Sequence, residues 1–178
     1  MDAPWLLLIY TVPAEPTRKR AYVWREVKKI GAVYIRDGVC ILPERAETIA
    51  AAHAIAAKIQ EFEGAATVVR GATLDSARAD AVAAQFNSAR SAEYAEISRE
   101  AERLLQHVAR ETEHRDFSFA ELEELEEDLT KLKRWLNQVQ SRDYFPDGSS
   151  TAAELLLARC DKALAEFLEA AAAADTSA

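Results

Sequence analysis

At 178 residues, with 49% apolar and 29% charged residues, the chain suits one domain, or one domain with a helical extension, and excludes simple disorder. Its net charge of −8 argues against a protein that coats nucleic acid indiscriminately. The longest apolar run near the start, Trp5–Tyr10, is too short for a membrane span or a signal-peptide core. We therefore expect a cytoplasmic protein with reduced thiols at Cys40 and Cys160.

The first part of the chain predicts elements in the order β-α-β-β-α-β. They are a strand at 5–11, a helix at 17–30, strands at 32–35 and 39–42, a helix at 46–62 and a strand at 66–70. Thr17 is the expected N-cap of the first helix, and Gly31 and Gly64 are expected to close the two helices. Asp37-Gly38 fits a hairpin turn, because glycine tolerates a positive φ. We predict an α+β fold with a ferredoxin-like module at residues 4–72.

The remainder of the chain predicts long helices. They lie at 75–112 and 117–143, as a helical hairpin within residues 73–145, and at 151–174, after a turn in a last segment at 146–178. Ser118, with Glu121 three residues later, is a capping box at the start of the second of these helices.

That second helix also carries an apolar stripe. Its members recur every three or four residues: Leu122, Leu125, Leu129, Leu132, Leu136 and Val139. Such a stripe needs an apolar partner. Packing against the preceding helix is one interpretation, and a homodimer formed through the Leu122–Val139 stripe is the other.

The charge of the chain is uneven. Residues 1–36 hold seven Lys/Arg against three Asp/Glu, whereas the remainder is acidic. Most of these cations lie on the first helix: Arg18, Lys19, Arg20, Arg25, Lys28 and Lys29. At 100° per residue, Arg18, Arg25 and Lys29 share one side. Lys19 and Arg20 lie in the first turn, where the helix dipole disfavours cations, so we expect an anionic partner such as phosphate.

Four aromatic residues lie close to these cations in the sequence or in the predicted sheet. They are Tyr10, Tyr22, Trp24 and Tyr34. They can serve as stacking groups beside the basic helix, or they can pack in the core or at its rim. For each of them, packing is the favoured interpretation.

Two groups of residues offer reactive chemistry. His107, Glu111 and His114 lie near one helix face and would ligate a metal if a fourth group joined them. A surface salt-bridge network with the neighbouring arginines is the favoured interpretation of this group. Cys40 is expected to be a core thiol, because no cation or second thiol can be assigned to it from the sequence.

The chain lacks the sequence marks of common enzymes. It has no Gly-rich phosphate loop, no GxSxG and no Cys–His constellation. Small nucleases built on the ferredoxin-like plan carry a metal-binding carboxylate at the end of the first strand, and residues 9–12 contain none. We therefore predict no catalytic residue, no metal and no cofactor.

Two stretches resemble a known family. WLLLIYTVPAEPTRKRAYVWREVKKIGAVYIRDGVCILPE resembles the start of the bacterial chromate-resistance regulators of the ChrB family, and RETEHRDFSFAELEELEEDLTKLKRWLNQVQSRDYF resembles a later helical segment of that family. The resemblance covers residues 4–145. It implies a cytoplasmic, chromate-responsive transcriptional regulator whose Lys/Arg-rich region binds DNA. By position, the DNA-binding residues are Arg18, Lys19, Arg20, Arg25, Lys28 and Lys29.

Full-length members of the family continue into a C-terminal domain held to sense chromate, so this sequence is expected to represent the DNA-binding part without the sensor. Two alternatives stay open. One is a non-enzymatic module that binds another protein through its helices and its basic face. The other is an enzyme acting on an oxyanion through Cys40 or through the His107, Glu111 and His114 group.

Overall fold

The computed structural model describes residues 4–115 and 117–175, and its first unit is built on a four-stranded sheet. The strands are β1 (Trp5–Thr11), β2 (Val33–Arg36), β3 (Val39–Pro43) and β4 (Ala65–Ala72). Their order is β2-β3-β1-β4, and all neighbours are antiparallel. The continuous apolar sequence of β1 reflects its central position. Leu6 and Leu8 are buried on one face, while Trp5 stacks on Phe86 from the other, with ring centroids 6.3 Å apart.

Two helices complete the part of the fold that holds the basic residues. They are α1 (Thr17–Lys29) and α2 (Ala46–Glu61). Each buries the apolar stripe that its sequence predicts: Val23 and Val27 in α1, and Ala52, Ile55 and Ile59 in α2. Together with the sheet, these helices confirm the prediction of an α+β fold.

Two details at the ends of these helices differ from the sequence-based prediction. Thr17 is the first residue of α1 rather than its N-cap, because Pro16 takes that position with extended backbone, and its carbonyl accepts the N–H of Lys19 at 3.0 Å. Gly31 ends α1 with a φ of +74°, as predicted. At the end of α2 the positive φ falls on Glu63 instead, at +64°, one residue before the predicted Gly64.

Gly64 is required for a different reason. Its N–H still closes α2 by donating to the carbonyl of Ile59 at 2.9 Å. A Cβ at Gly64 would lie 2.4 Å from the carbonyl oxygen of Thr11, well inside van der Waals contact. The glycine therefore lets the end of α2 approach the backbone at the end of β1.

Three long helices follow: α3 (Ser76–His114), α4 (Phe119–Gln140) and α5 (Thr151–Asp175). The chain divides into two compact units, Met1–Asn87 and Ser88–Ala178, so the boundary falls within α3. Ser118 caps α4 as predicted, because its side chain accepts the N–H of Glu121 at 3.3 Å. Among the described residues, no helix has both the length and the apolar character that a bilayer crossing demands.

The apolar stripe of α4 is buried inside the second unit. Leu125, Leu129, Leu132, Leu136 and Val139 form one core cluster with side chains of α3 and α5, the largest of which are Tyr94, Ile97, Leu157 and Phe167. This supports the intramolecular interpretation, with α5 as a further partner. Most of the stripe is already covered within one chain, whereas Leu122 is only partly buried, and a homodimer through the Leu122–Val139 stripe stays a prediction.

Candidate nucleic-acid interface

The cations of α1 lie on the side of the helix that faces solvent. Five of the six predicted residues are exposed: Arg18, Arg20, Arg25, Lys28 and Lys29. Their exposure follows from the helical period, because Val23 and Val27 direct the opposite side of α1 into the core. Arg18, Arg25 and Lys29 form one row along the helix, and we call these three residues the basic row.

Lys19 is placed differently. Its Nζ donates to the carbonyl of Phe62 at 3.2 Å and lies 3.4 Å from Glu63 Oε2. It also lies 5.9 Å from the centroid of the Phe62 ring. Phe62 is the C-cap of α2, so the Lys19 ammonium sits at the negative end of the α2 dipole. The C-terminal end of α2 thus binds the ammonium for which an external anion was predicted.

Trp24 is the exposed aromatic residue of this face. It is 54% exposed, and it follows Arg20 and precedes Lys28 at four-residue spacing, so the three side chains form a second row. Lys28 Nζ lies 6.0 Å from the centroid of the Trp24 ring. More than half of the Trp24 side chain is therefore accessible to a binding partner.

The second row borders an open concavity of about 550 Å³ at one end of the sheet. Arg20 and Trp24 line it from α1, and Tyr10, Tyr34 and Asp37 line it from β1, β2 and the hairpin turn. The two tyrosine hydroxyls are hydrogen-bonded to each other at 2.7 Å. Burial raises the pKa of Tyr10 and of Tyr34, so both are neutral near pH 7.

The remaining aromatic and thiol candidates are structural. Tyr22 packs edge-on against Phe62, with ring centroids 5.6 Å apart. Cys40 is fully buried, and burial raises the pKa of its thiol to about 12. A thiol with that pKa carries almost no thiolate near neutrality and is a poor nucleophile. Cys40 is therefore the core thiol that the sequence predicts.

The histidine group lies in the second unit and differs from its prediction in one member. His107 Nε2 lies 2.6 Å from Glu121 Oε1 and 3.6 Å from Glu111 Oε1. Arg110 donates to the same Glu111 oxygen at 2.7 Å. His114 is exposed and is not part of this cluster. Sequence spacing missed Glu121, which comes from α4 and is recognisable only once the pairing of α3 with α4 is known.

Comparison with known proteins gives two matches. Residues 20–177 match the family model described as "Protein ChrB, N-terminal". Protein ChrB of Cupriavidus metallidurans is 28% identical over 154 residues, which cover 86% of this chain and 44% of that protein. The chain thus spans less than half the length of this relative. No solved structure matches.

Proposed function

The chain belongs to the ChrB N-terminal family, which confirms the resemblance to chromate-resistance regulators, and we propose that it binds DNA through the exposed side of α1. In this proposal it is a non-enzymatic, cytoplasmic part of a chromate-responsive transcriptional regulator. Its first unit is a ferredoxin-like module, since the strand order β2-β3-β1-β4 with α1 and α2 fits that plan.

The observation that carries the proposal is the basic row. Arg18, Arg25 and Lys29 are exposed together on a chain whose net charge is −8. Lys29 lies 4.0 Å from Glu26, and this exposed contact is too weak to hold the ammonium away from a phosphate. Lysine and arginine side chains that neutralise phosphates release counterions, which supplies affinity without reading sequence.

The second row adds an apolar contact. Trp24 is flanked by Arg20 and Lys28, so an approaching phosphate backbone would bring sugar or base surface to the indole. Aromatic side chains next to cations are a common means of contacting nucleic acid. The proposal therefore predicts that DNA binding buries Trp24, which a purely ionic contact would not do.

The test is the salt dependence of binding to the DNA upstream of the chain's own operon. Replacing Arg25 and Lys29 together by alanine removes two proposed phosphate contacts, so the slope of log affinity against log salt should fall in magnitude by about 1.8. The matched control replaces Arg99 and Arg134, two exposed arginines of the second unit, by alanine. It removes the same charge and should leave the slope within about 0.5 of the wild-type value.

An equal change of slope in both double variants would show that net charge, and not α1, governs binding. The sedimentation of the wild-type chain at physiological salt should change when DNA is added. If it does not, the result supports the alternative in which the basic side of α1 docks on an acidic protein surface. The oxyanion-enzyme alternative is weakened by the burial of Cys40.

A further inference from the structure

We propose that His107, Glu111 and Glu121 form a binding site for a divalent cation of the zinc class. The three residues come from the last turns of α3 and the first turn of α4. Each offers one ligand atom, and these atoms all lie within 4.8 Å of one another. The site lies in the second unit and does not depend on whether α1 binds DNA.

The distances suit a small cation. In a tetrahedral zinc site with bonds of about 2.1 Å, two ligand atoms are about 3.4 Å apart. His107 Nε2 and Glu111 Oε1 are separated by 3.6 Å, close to that value. His107 Nε2 and Glu121 Oε1, at 2.6 Å, need to open by less than an ångström. A small rotation about the side-chain torsions of Glu121 is enough for this.

The oxygen of Glu121 that faces the histidine lacks a proper donor. Within the described chain, Glu121 Oε1 is buried and receives no hydrogen bond of good geometry, although His107 Nε2 is near. A carboxylate oxygen and an unprotonated ring nitrogen present lone pairs to each other, and this is repulsive unless a proton or a metal ion lies between them. A proton or a metal ion therefore has to lie between these two atoms, and a metal ion can in addition contact Glu111.

Charge favours a divalent ion in that position. Two glutamates facing one point carry two negative charges, and the Glu111 side chain is only 10% exposed. A divalent cation would contact both carboxylates, whereas Arg110 contacts only Glu111. Arg110 donates to Glu111 from a half-exposed position and can keep doing so, because the carboxylate oxygen has a second lone pair for the metal.

Imidazole together with two carboxylates is a donor set that suits zinc, and three protein ligands leave a fourth position for water. The bound ion would join the end of α3 to the first turn of α4. We therefore expect it to stabilise the second unit.

The experiment is a titration of the full chain, freed of metal by a chelator, with zinc chloride in a calorimeter. One equivalent should bind to the wild-type protein, and Glu121→Gln should weaken this binding at least about 10-fold. The matched control is His114→Ala, which removes an exposed histidine from the same helix and should leave the affinity unchanged. At about 100 times Kd, zinc should raise the Tm of the wild type and of the control by about 5–10 °C.

Glu111→Gln is a second test of the same ligand set, and far-UV circular dichroism shows whether each variant is folded. Equal affinity in the wild type, Glu121→Gln and Glu111→Gln would mean adventitious surface binding only and would overturn the site. Failure of the wild-type protein to bind zinc at about 100 μM, far above the Kd of structural zinc sites, would do the same.

Discussion

Lys19 allows a direct test of whether a cation of α1 serves the fold or the DNA. Lys19→Met keeps the aliphatic part of the side chain and removes the ammonium. This deletes the hydrogen bond to the carbonyl of Phe62 and the contact with Glu63. The structure predicts lower stability with unchanged DNA binding, whereas the sequence predicts that Lys19 contacts phosphate.

The expected loss of stability is about 1–2 kcal/mol. A hydrogen bond from a charged donor stabilises by about 1.5–3 kcal/mol, and the lower end applies because 21% of the Lys19 side chain is exposed. A cation at a helix C-terminus adds about 0.3–1 kcal/mol. The Glu63 side chain is 85% exposed, so that ion pair adds almost nothing. Release of the side chain from one conformation offsets part of the sum.

Urea denaturation measures the free energy of unfolding, and a fluorescence titration against operon DNA at several salt concentrations measures the slope. Lys28→Met is the matched control, because Lys28 is exposed on the same helix. Lys28→Met should keep the free energy of unfolding within about 0.5 kcal/mol of the wild-type value. It should reduce the magnitude of the slope of log DNA affinity against log salt by about 0.9. The opposite result for Lys19→Met, unchanged stability with a reduced slope, would refute the assignment of this ammonium to the end of α2.

Two further predictions concern the sheet and the thiols. Gly38→Ala should lower the free energy of unfolding in urea by at least about 2 kcal/mol, because φ is +70° and the added Cβ would lie 2.4 Å from the carbonyl oxygen of Tyr10. Gly71→Ala should lower it by only about 1 kcal/mol, because φ is similar, at +68°, but no described atom lies within 4 Å of the added Cβ. Equal losses in the two variants would contradict the steric argument. Burial raises the pKa of Cys40 to about 12 and of Cys160 to about 11, so neither thiol should react with iodoacetamide in the native protein at neutral pH. Both thiols should react in urea, and mass spectrometry measures the labelling. Rapid labelling of Cys40 in the native protein would favour the enzyme alternative.

The elements that local chemistry determines were predictable from the sequence. A continuous apolar run gives β1, and the Asp37-Gly38 turn gives the hairpin, where Gly38 has the expected positive φ. The buried side of α1 follows from the spacing of Val23 and Val27. Each of these inferences depends on residues within a few positions of one another, so a single sequence contains the necessary information.

Features that depend on distant partners were not predictable. Lys19 contacts Phe62, which lies 43 positions later in the sequence, and no local sequence pattern predicts that contact. Glu121 is recognisable as a helix-capping residue, but its contact with His107 depends on how α3 packs against α4. The Leu122–Val139 stripe predicted an apolar partner without identifying it. In the structure, the stripe packs against side chains of α3 and α5 of the same chain.

If Lys19 binds the end of α2 and not DNA, the proposed interface on α1 has a limited number of phosphate contacts. Five exposed cations remain on the helix, and each phosphate contact contributes about 0.9 to the salt slope, so a single chain should give a slope no steeper than about −4.5. If the chain binds DNA as proposed, its acidic remainder would repel DNA and would favour contact through this helix. A measured slope much steeper than this limit would require either a second copy on the same DNA or cations outside α1. Because Leu125, Leu129, Leu132, Leu136 and Val139 are buried within one chain, we expect a second copy to be recruited through another surface.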